Sequence, residues 1–256
     1  MSVVRVTIDG TRAAIELRRP EVLNAMDWDV FDGLSQAADR IAAEDVRVVV
    51  VSGEGRSFSS GIDTSTFGEM QAKGPAEMIA RAQAGFRKIT ALSMPTVAKV
   101  RGHALGAGLQ LALACDLRVM ASDASVGLLE ARFSLVPDLG GTQRLPALVG
   151  PGRAKRMIWL AERISGTEAA DIGLAEVVVE PDALDDAVEE LAQRLMMAPP
   201  VAVREAKRLV DLARTTDLER SMDEEGVSQQ RMFASADFAE AITAFMEKRE
   251  PVYSND

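Results

Sequence analysis

Apolar positions change their spacing several times along the chain, and each change marks an element. Val4, Val6 and Ile8 alternate with polar neighbours, Asp9-Gly10 turns, and the run Ala13 to Leu17 follows, which predicts a hairpin. Trp28, Phe31, Leu34, Ala38, Ile41 and Ala42 then recur at helical spacing. The unbroken run Val48-Val49-Val50-Val51 reads as a strand buried on both faces. A loop rich in Gly and Ser spans 53–69, and a helix is expected over 75–92, ending before Pro95. Thr96 to Val100 returns as a strand, Gly102 to Gly108 turns on glycines, and Leu109 to Cys115 forms an apolar helix. Strands at 117–120 and 125–127 come next, and Pro137 to Pro146 is loop and helix start. Beyond Gly150 the pattern is mostly helical: helices near 152–162 and 167–172, a strand at 175–179, and an amphipathic helix marked by Leu184, Val188, Leu191 and Leu195. Pro199-Pro200 interrupts the chain, and three helical stretches close it, near 201–214, 217–232 and 235–248. The organisation expected is a mixed α/β body over 1–198 and a helical region over 199–256.

The glycine turn at 102–108 organises this pattern. A strand followed by a glycine turn and a helix presents backbone N–H groups that no intrahelical acceptor satisfies. The partial positive charge at a helix N-terminus suits an anion or a developing oxyanion. An ordinary α/β crossover has the same local pattern, so the surrounding residues must decide.

Composition narrows the class. The chain has 256 residues, 47% of them hydrophobic, enough for one large core or a core with a smaller appendage. Its net charge of -10 argues against nucleic acid or an anionic membrane as the main partner. No apolar run is long enough to span a bilayer and the first residues carry no signal-like segment, so a cytoplasmic location is expected. The single cysteine, Cys115, lies in the apolar helix, where a buried side chain is the expected role. One histidine and one cysteine leave no basis for a metal site. A hydrolase built on His103 and a serine of the 57–60 loop stays open, against a histidine bonded only to backbone.

Several segments together resemble the enoyl-CoA hydratase/isomerase (crotonase) family. They are Arg19-Pro20-Glu21-Val22-Leu23-Asn24-Ala25, Ser57-Phe58-Ser59-Ser60-Gly61-Ile62-Asp63, Gly102 to Asp116, Pro137 to Pro146, and the tail segments Phe233 to Asp237 and Phe245 to Arg249. The resemblance implies an α/β fold, a spiral of ββα units with a C-terminal helical region that mediates trimers or a dimer of trimers. It also implies an acyl-CoA thioester as substrate, with coenzyme A part of that substrate and no other cofactor. The thioester oxygen would be held by the N–H groups of Ile62 and Ala107, framed by Ser60, Gly61, Asp63 and Gly106. Arg18, Arg19 and Lys248 are candidates for the coenzyme A phosphates. Phe67, Met70 and Met78 are candidates for the wall around the acyl tail, or else for the core.

Family hydratases carry two glutamates twenty positions apart; here those positions hold Gln110 and Glu130. An amide accepts and donates hydrogen bonds but takes up no proton as a base, which puts water addition in question. Asp138 lies eight residues beyond Glu130, and a glutamate and an aspartate so placed resemble the branch that shifts double bonds in dienoyl-CoA. The expectation is therefore an isomerase using Glu130 and Asp138, with Ile62 and Ala107 as the oxyanion hole and Gln110 lining the pocket. A hydratase is the close alternative, and a catalytically silent thioester-binding protein another if the two acids are salt-bridged elsewhere. Asp138 as a cap on the helix near Thr142, and Glu130 as an exposed charge, are the structural alternatives. Arg132 and Arg144 are possible partners of either acid.

Overall fold

The computed structural model describes residues 2–66, 68 and 74–254. Phe67 and Met70, two candidates for the acyl-tail wall, lie outside the described residues, whereas Met78 is buried in the core.

The N-terminal hairpin forms as its alternation predicts. Strand β1 (Val4–Asp9) pairs antiparallel with β2 (Arg12–Leu17). Helix α1 (Trp28–Ala42) starts where the Asp27 carboxylate accepts the Val30 N–H, an N-cap of the kind that stabilises a helix by about 1 kcal/mol. Its apolar stripe packs on α2 (Pro75–Thr90), with the rings of Phe31 and Phe86 6.2 Å apart. Strand β3 (Val48–Gly53) lies between β2 and β4 (Thr96–Val100), which is why its valines are buried on both faces.

Beyond β3 the chain spirals. A six-stranded sheet has the order β1-β2-β3-β4-β6-β9, with β6 at Leu117–Ala121 and β9 at Val177–Val179. A second sheet has the order β5-β7-β8, with β5 at His103–Leu105, β7 at Ser125–Gly127 and β8 at Ile164–Ser165. Each turn of the spiral leaves one strand in the large sheet and a short one in the small sheet, then enters a helix. Thus β4 and β5 lead to α3 (Ala107–Ala114). After β6 and β7 come a 3₁₀ turn (Glu130–Phe133) and α4 (Gly141–Val149). The preceding turn repeats the plan with an isolated bridge: Ser59 pairs with Ala104, which pairs with Val126. That row places equivalent segments of three successive turns side by side.

Helices α5 (Pro151–Leu160), α6 (Gly166–Asp171) and α7 (Leu184–Met197) complete the body. Helices α8 (Pro200–Leu212), α9 (Leu218–Phe233) and α10 (Ala236–Glu247) follow. Helix α8 is tied to the body by polar contacts: Arg204 donates to the Val46 carbonyl, and Lys207 reaches Met94 and Asp116. Its only buried residue is Pro200. No helix among the described residues is long and apolar enough to cross a membrane.

Candidate active site

The row Ser59–Ala104–Val126 explains how distant residues meet. Three residues past the first two members lie Ile62 and Ala107; four past the third lies Glu130. Ser59 N–H donates to the His103 carbonyl at 2.8 Å, and Leu105 N–H returns to the Ser59 carbonyl at 3.1 Å. Gly106 N–H joins the next turn through the Gly127 carbonyl at 2.8 Å.

These bonds leave two N–H groups over. The Met26–Ile62 bridge uses the Gly61 carbonyl and the Asp63 N–H, so the Ile62 N–H turns away from Met26. Ala107 opens α3, where an N–H has no intrahelical acceptor. Among the described residues, neither Ile62 nor Ala107 donates its N–H to a protein acceptor. Close approach is bought with glycine. A Cβ on Gly61, at φ 103°, would stand 2.7 Å from the Leu105 carbonyl oxygen and 3.7 Å from Ala107 N; one on Gly108 would stand 2.5 Å from the Ser59 oxygen. Two N–H groups beside a helix N-terminus can stabilise a developing oxyanion.

Glu130 comes close to the residue before Ala107: a Cβ on Gly106 would lie 3.4 Å from Glu130 Oε1. Its Oε1 accepts from Gln110 Nε2 at 2.8 Å, while its Oε2 is buried without a partner among the described residues. Burial, the largest influence, pushes the Glu130 carboxyl above its ordinary range; the Gln110 bond opposes this and the charge of Asp138 reinforces it. Gln110 is itself fixed, its Oε1 accepting from Leu139 N at 2.8 Å and Gly141 N at 3.0 Å.

Asp138 lies on the exposed side of the loop between Glu130 and α4. Its carboxyl is also raised, by the protein crowding it, and its carbonyl accepts from Gln83. It is no helix cap: the N-cap of α4 is Gly140, with no side-chain bond. Nor do the nearby arginines take either acid. Arg132 donates to the Ala161 carbonyl and Arg144 to Thr90 Oγ1. Among the described residues neither Glu130 nor Asp138 is in a salt bridge, contrary to what a silent binding protein with neutralised acids requires.

The other candidates divide. Gly61 and Gly106 shape the backbone at the site. Ser60 lies in the same loop, its hydroxyl donating to the Val22 carbonyl at 3.3 Å. The Asp63 carboxylate is committed to the loop: it accepts from Ser65 N and Oγ and pairs with Arg19 at 3.1 Å, and these contacts, led by Ser65, lower its pKa. Arg19 also pairs with Asp27 at 3.1 Å and donates to the Ala25 carbonyl, while Arg18 pairs with Glu54 at 3.1 Å. Both guanidinium groups thus have internal carboxylate partners. Lys248 is exposed just past α10 in a left-handed conformation.

The Ser/His hydrolase is not assembled. The hydroxyl of Ser57 meets the backbone of His103, and the His103 Nδ1 is buried without a partner among the described residues. Cys115 is buried, and desolvation pushes its thiol up to about 12. One positioning residue went unassigned from the sequence. Asn24, 1% exposed, accepts from Arg19 N and donates to the carbonyls of Glu54 and Ser57, holding the loop that carries Ile62. In the structure Asn24 takes the left-handed conformation, at φ 56°, as does Leu23 before it.

Two N–H groups without protein acceptors beside a buried carboxyl oxygen suit the movement of a proton next to a developing negative charge. Comparison with known proteins places that chemistry in a family. The family model described as Enoyl-CoA hydratase/isomerase matches residues 7–256. The chain is 37% identical over 240 residues to the crotonyl-CoA hydratase of Syntrophomonas wolfei, covering 93% of this chain and 92% of the relative. It is 34% identical over 244 residues to the short-chain-enoyl-CoA hydratase of Clostridium acetobutylicum, with 94% of each covered. A putative enoyl-CoA hydratase from Thermobifida fusca, solved in complex with acetoacetyl-CoA, superposes with a TM-score of 0.87 at 38% identity, covering 91% of this chain and 95% of that one. The chain belongs to the enoyl-CoA hydratase/isomerase family, and its fold is the crotonase fold.

Proposed function

We propose that the protein acts on the carbon–carbon double bond of an enoyl-CoA thioester, with Glu130 as the proton-handling group and hydration of a 2-enoyl-CoA as its main reaction. The observation that carries this reading is the unpartnered Oε2 of Glu130 in a buried site beside two free N–H groups. The thioester oxygen sits on the N–H groups of Ile62 and Ala107. Water adds through oxygen to C3, its proton passes to Glu130, and the electron pair of the double bond moves onto the thioester oxygen. The enolate then takes that proton at C2, forming the C–H bond and restoring the carboxylate. One carboxylate thus serves as base and acid in turn, and Gln110 exchanges no proton.

The sequence alone ranks isomerisation first; the names of the relatives favour hydration, and that order is adopted here. Isomerisation remains the second reading because an amide replaces one acid and the Asp138 carboxyl is raised and free of ion pairs. In that reading Glu130 removes a proton at one carbon and Asp138 returns one at another. Incubation with 2-enoyl-, 3-enoyl- and 3,5-dienoyl-CoA separates the two: hydration adds the mass of one water, isomerisation leaves mass unchanged and moves the ultraviolet band. No change with any of the three contradicts both.

Assembly belongs to the same reading. Leu218, Phe233, Phe245 and Met246 on α9 and α10 are 75%, 58%, 83% and 77% exposed, apolar surface suited to contact with further copies of the chain. A trimer or dimer of trimers is expected, and a monodisperse monomer by light scattering at micromolar concentration contradicts it. For the coenzyme A phosphates Lys248 is the candidate retained, since the charges of Arg18 and Arg19 are engaged internally.

A further inference from the structure

We propose that Gln110 is a positioning residue whose anchored amide binds Glu130 Oε1 and so assigns Oε2 as the oxygen that exchanges protons with the substrate. The inference rests on the reading that Glu130 handles the proton, and it adds which oxygen does so and what enforces the choice.

Two donors fix the amide. Leu139 N–H and Gly141 N–H can only donate, so the Gln110 atom 2.8 and 3.0 Å from them is its oxygen. The opposite edge must then be the NH₂ group, 2.8 Å from Glu130 Oε1. Gln110 is 1% exposed and cannot turn over without facing its NH₂ at two N–H donors. Glu130 Oε1 therefore always meets a donor, and a proton there would meet N–H; the proton must reside on Oε2, the atom left without a partner.

The same bond contributes to the charge state. A donor on one oxygen favours the carboxylate, against burial, which favours the acid. The backbone N–H groups of Glu130 and Leu129 act in the same direction as Gln110, which is the side chain that does so. Asp138 is the ionisable neighbour whose charge reaches it, and it acts in the opposite direction. Arg132, on the same 3₁₀ turn, donates to Ala161, and Arg144 of α4 to Thr90. A glutamate at 110 would keep the acceptor for Leu139 and Gly141 but turn a second carboxylate oxygen toward Oε1. The two acids would then share a proton and titrate as a pair.

The test is to follow the Glu130 carboxyl directly, by ¹³C-carboxyl NMR of glutamate-labelled protein, with Glu130→Gln assigning the signal. In Gln110→Met the loss of the donor should raise the Glu130 titration by about one to two pH units, the equivalent of one hydrogen bond to a charged group. In Gln110→Glu the single step should be replaced by two, the upper one above that of the native protein. The acid limb of kcat/KM should move with the titration, a change that a purely structural residue would not produce. Gln110→Met orphans two buried N–H groups, so its titration is read only after circular dichroism shows it folded; Gln110→Glu retains their acceptor and decides alone. A Glu130 titration unmoved in folded Gln110→Glu overturns the assignment. Shifted titrations in a protein that turns over no enoyl-CoA uphold the positioning of Glu130 by Gln110 and overturn the functional reading, and with it the exchange of that proton with substrate.

Discussion

Two carboxylates on successive turns of the spiral are treated in opposite ways. Asp116, between α3 and β6, accepts from Thr96 N at 2.8 Å, Thr96 Oγ1 at 3.0 Å and Lys207 Nζ at 2.7 Å. It joins β4 to α8, and its hydrogen bonds lie within the fold. Glu130 accepts a single side-chain donor, and its second oxygen is buried without a partner among the described residues. Buried polar atoms are ordinarily paired, because leaving one unpaired costs about 1–3 kcal/mol. Several buried atoms of the described residues share that state, Asp237 Oδ2 and His103 Nδ1 among them; at Glu130 the free oxygen belongs to a carboxyl bonded to Gln110. Asp116, paired with three donors, ties the fold together, whereas Glu130 keeps one oxygen free for a proton.

The contrast is broken most sharply at Glu130. Glu130→Gln keeps the shape and removes the titratable proton, so kcat should fall by about 10²–10⁴ while circular dichroism shows the fold retained. Burial raises the Glu130 pKa, so the folded state keeps its proton to higher pH than the unfolded chain. Its contribution to stability is therefore least favourable above the folded pKa and improves as pH falls through the window between the folded and unfolded values. The melting temperature of Glu130→Gln minus that of the native protein should accordingly rise as pH increases through that window. A difference independent of pH contradicts the raised pKa.

Next in size is the oxyanion hole. Ala107→Pro removes one N–H at the first position of α3, where proline fits a helix. Loss of one such donor lowers kcat by about 10²–10³, and circular dichroism checks that the fold survives. Asp116→Ala should do the reverse of Glu130→Gln. It removes the acceptor of three donors, one of them charged, and should lower stability by about 2–3 kcal/mol, with kcat of the folded fraction unchanged. Denaturant unfolding and turnover on the same sample separate the two. The smallest effect is expected at Asp63, half-buried in its loop. Asp63→Asn weakens its pair with Arg19 and should change stability by less than about 1 kcal/mol, with kcat and KM near native. A large loss of kcat there would move Asp63 into the site.

Local signals carried much of the fold. Helix α1 was legible because its apolar period is continuous, and β3 because four valines in a row require burial on both faces. Strand β5 was not legible. His103-Ala104-Leu105 sits among glycines and becomes a strand only through its register with 125–127 and the bridge to Ser59. The site divides on the same line. The amide at 110 and the acid at 130 are visible in the sequence, twenty positions apart. What fixes the amide is not, because Leu139 and Gly141 lie 29 and 31 residues away and contribute only backbone N–H groups. Asp63 and Arg19 likewise read as candidates for substrate from their motifs. Their salt bridge joins two loops that only the folded chain brings together.

The central claim is that Glu130 moves the proton at an enoyl-CoA double bond. The most direct measurement is the product formed from a 2-enoyl-CoA in D₂O, followed by mass spectrometry for the native protein and for Glu130→Gln. The account predicts that the native protein yields the 3-hydroxyacyl product with one carbon-bound deuterium at C2, and that the variant, shown to be folded by circular dichroism, forms it at least about 10²-fold more slowly. Equal rates of product and of deuterium incorporation in the two proteins would contradict it.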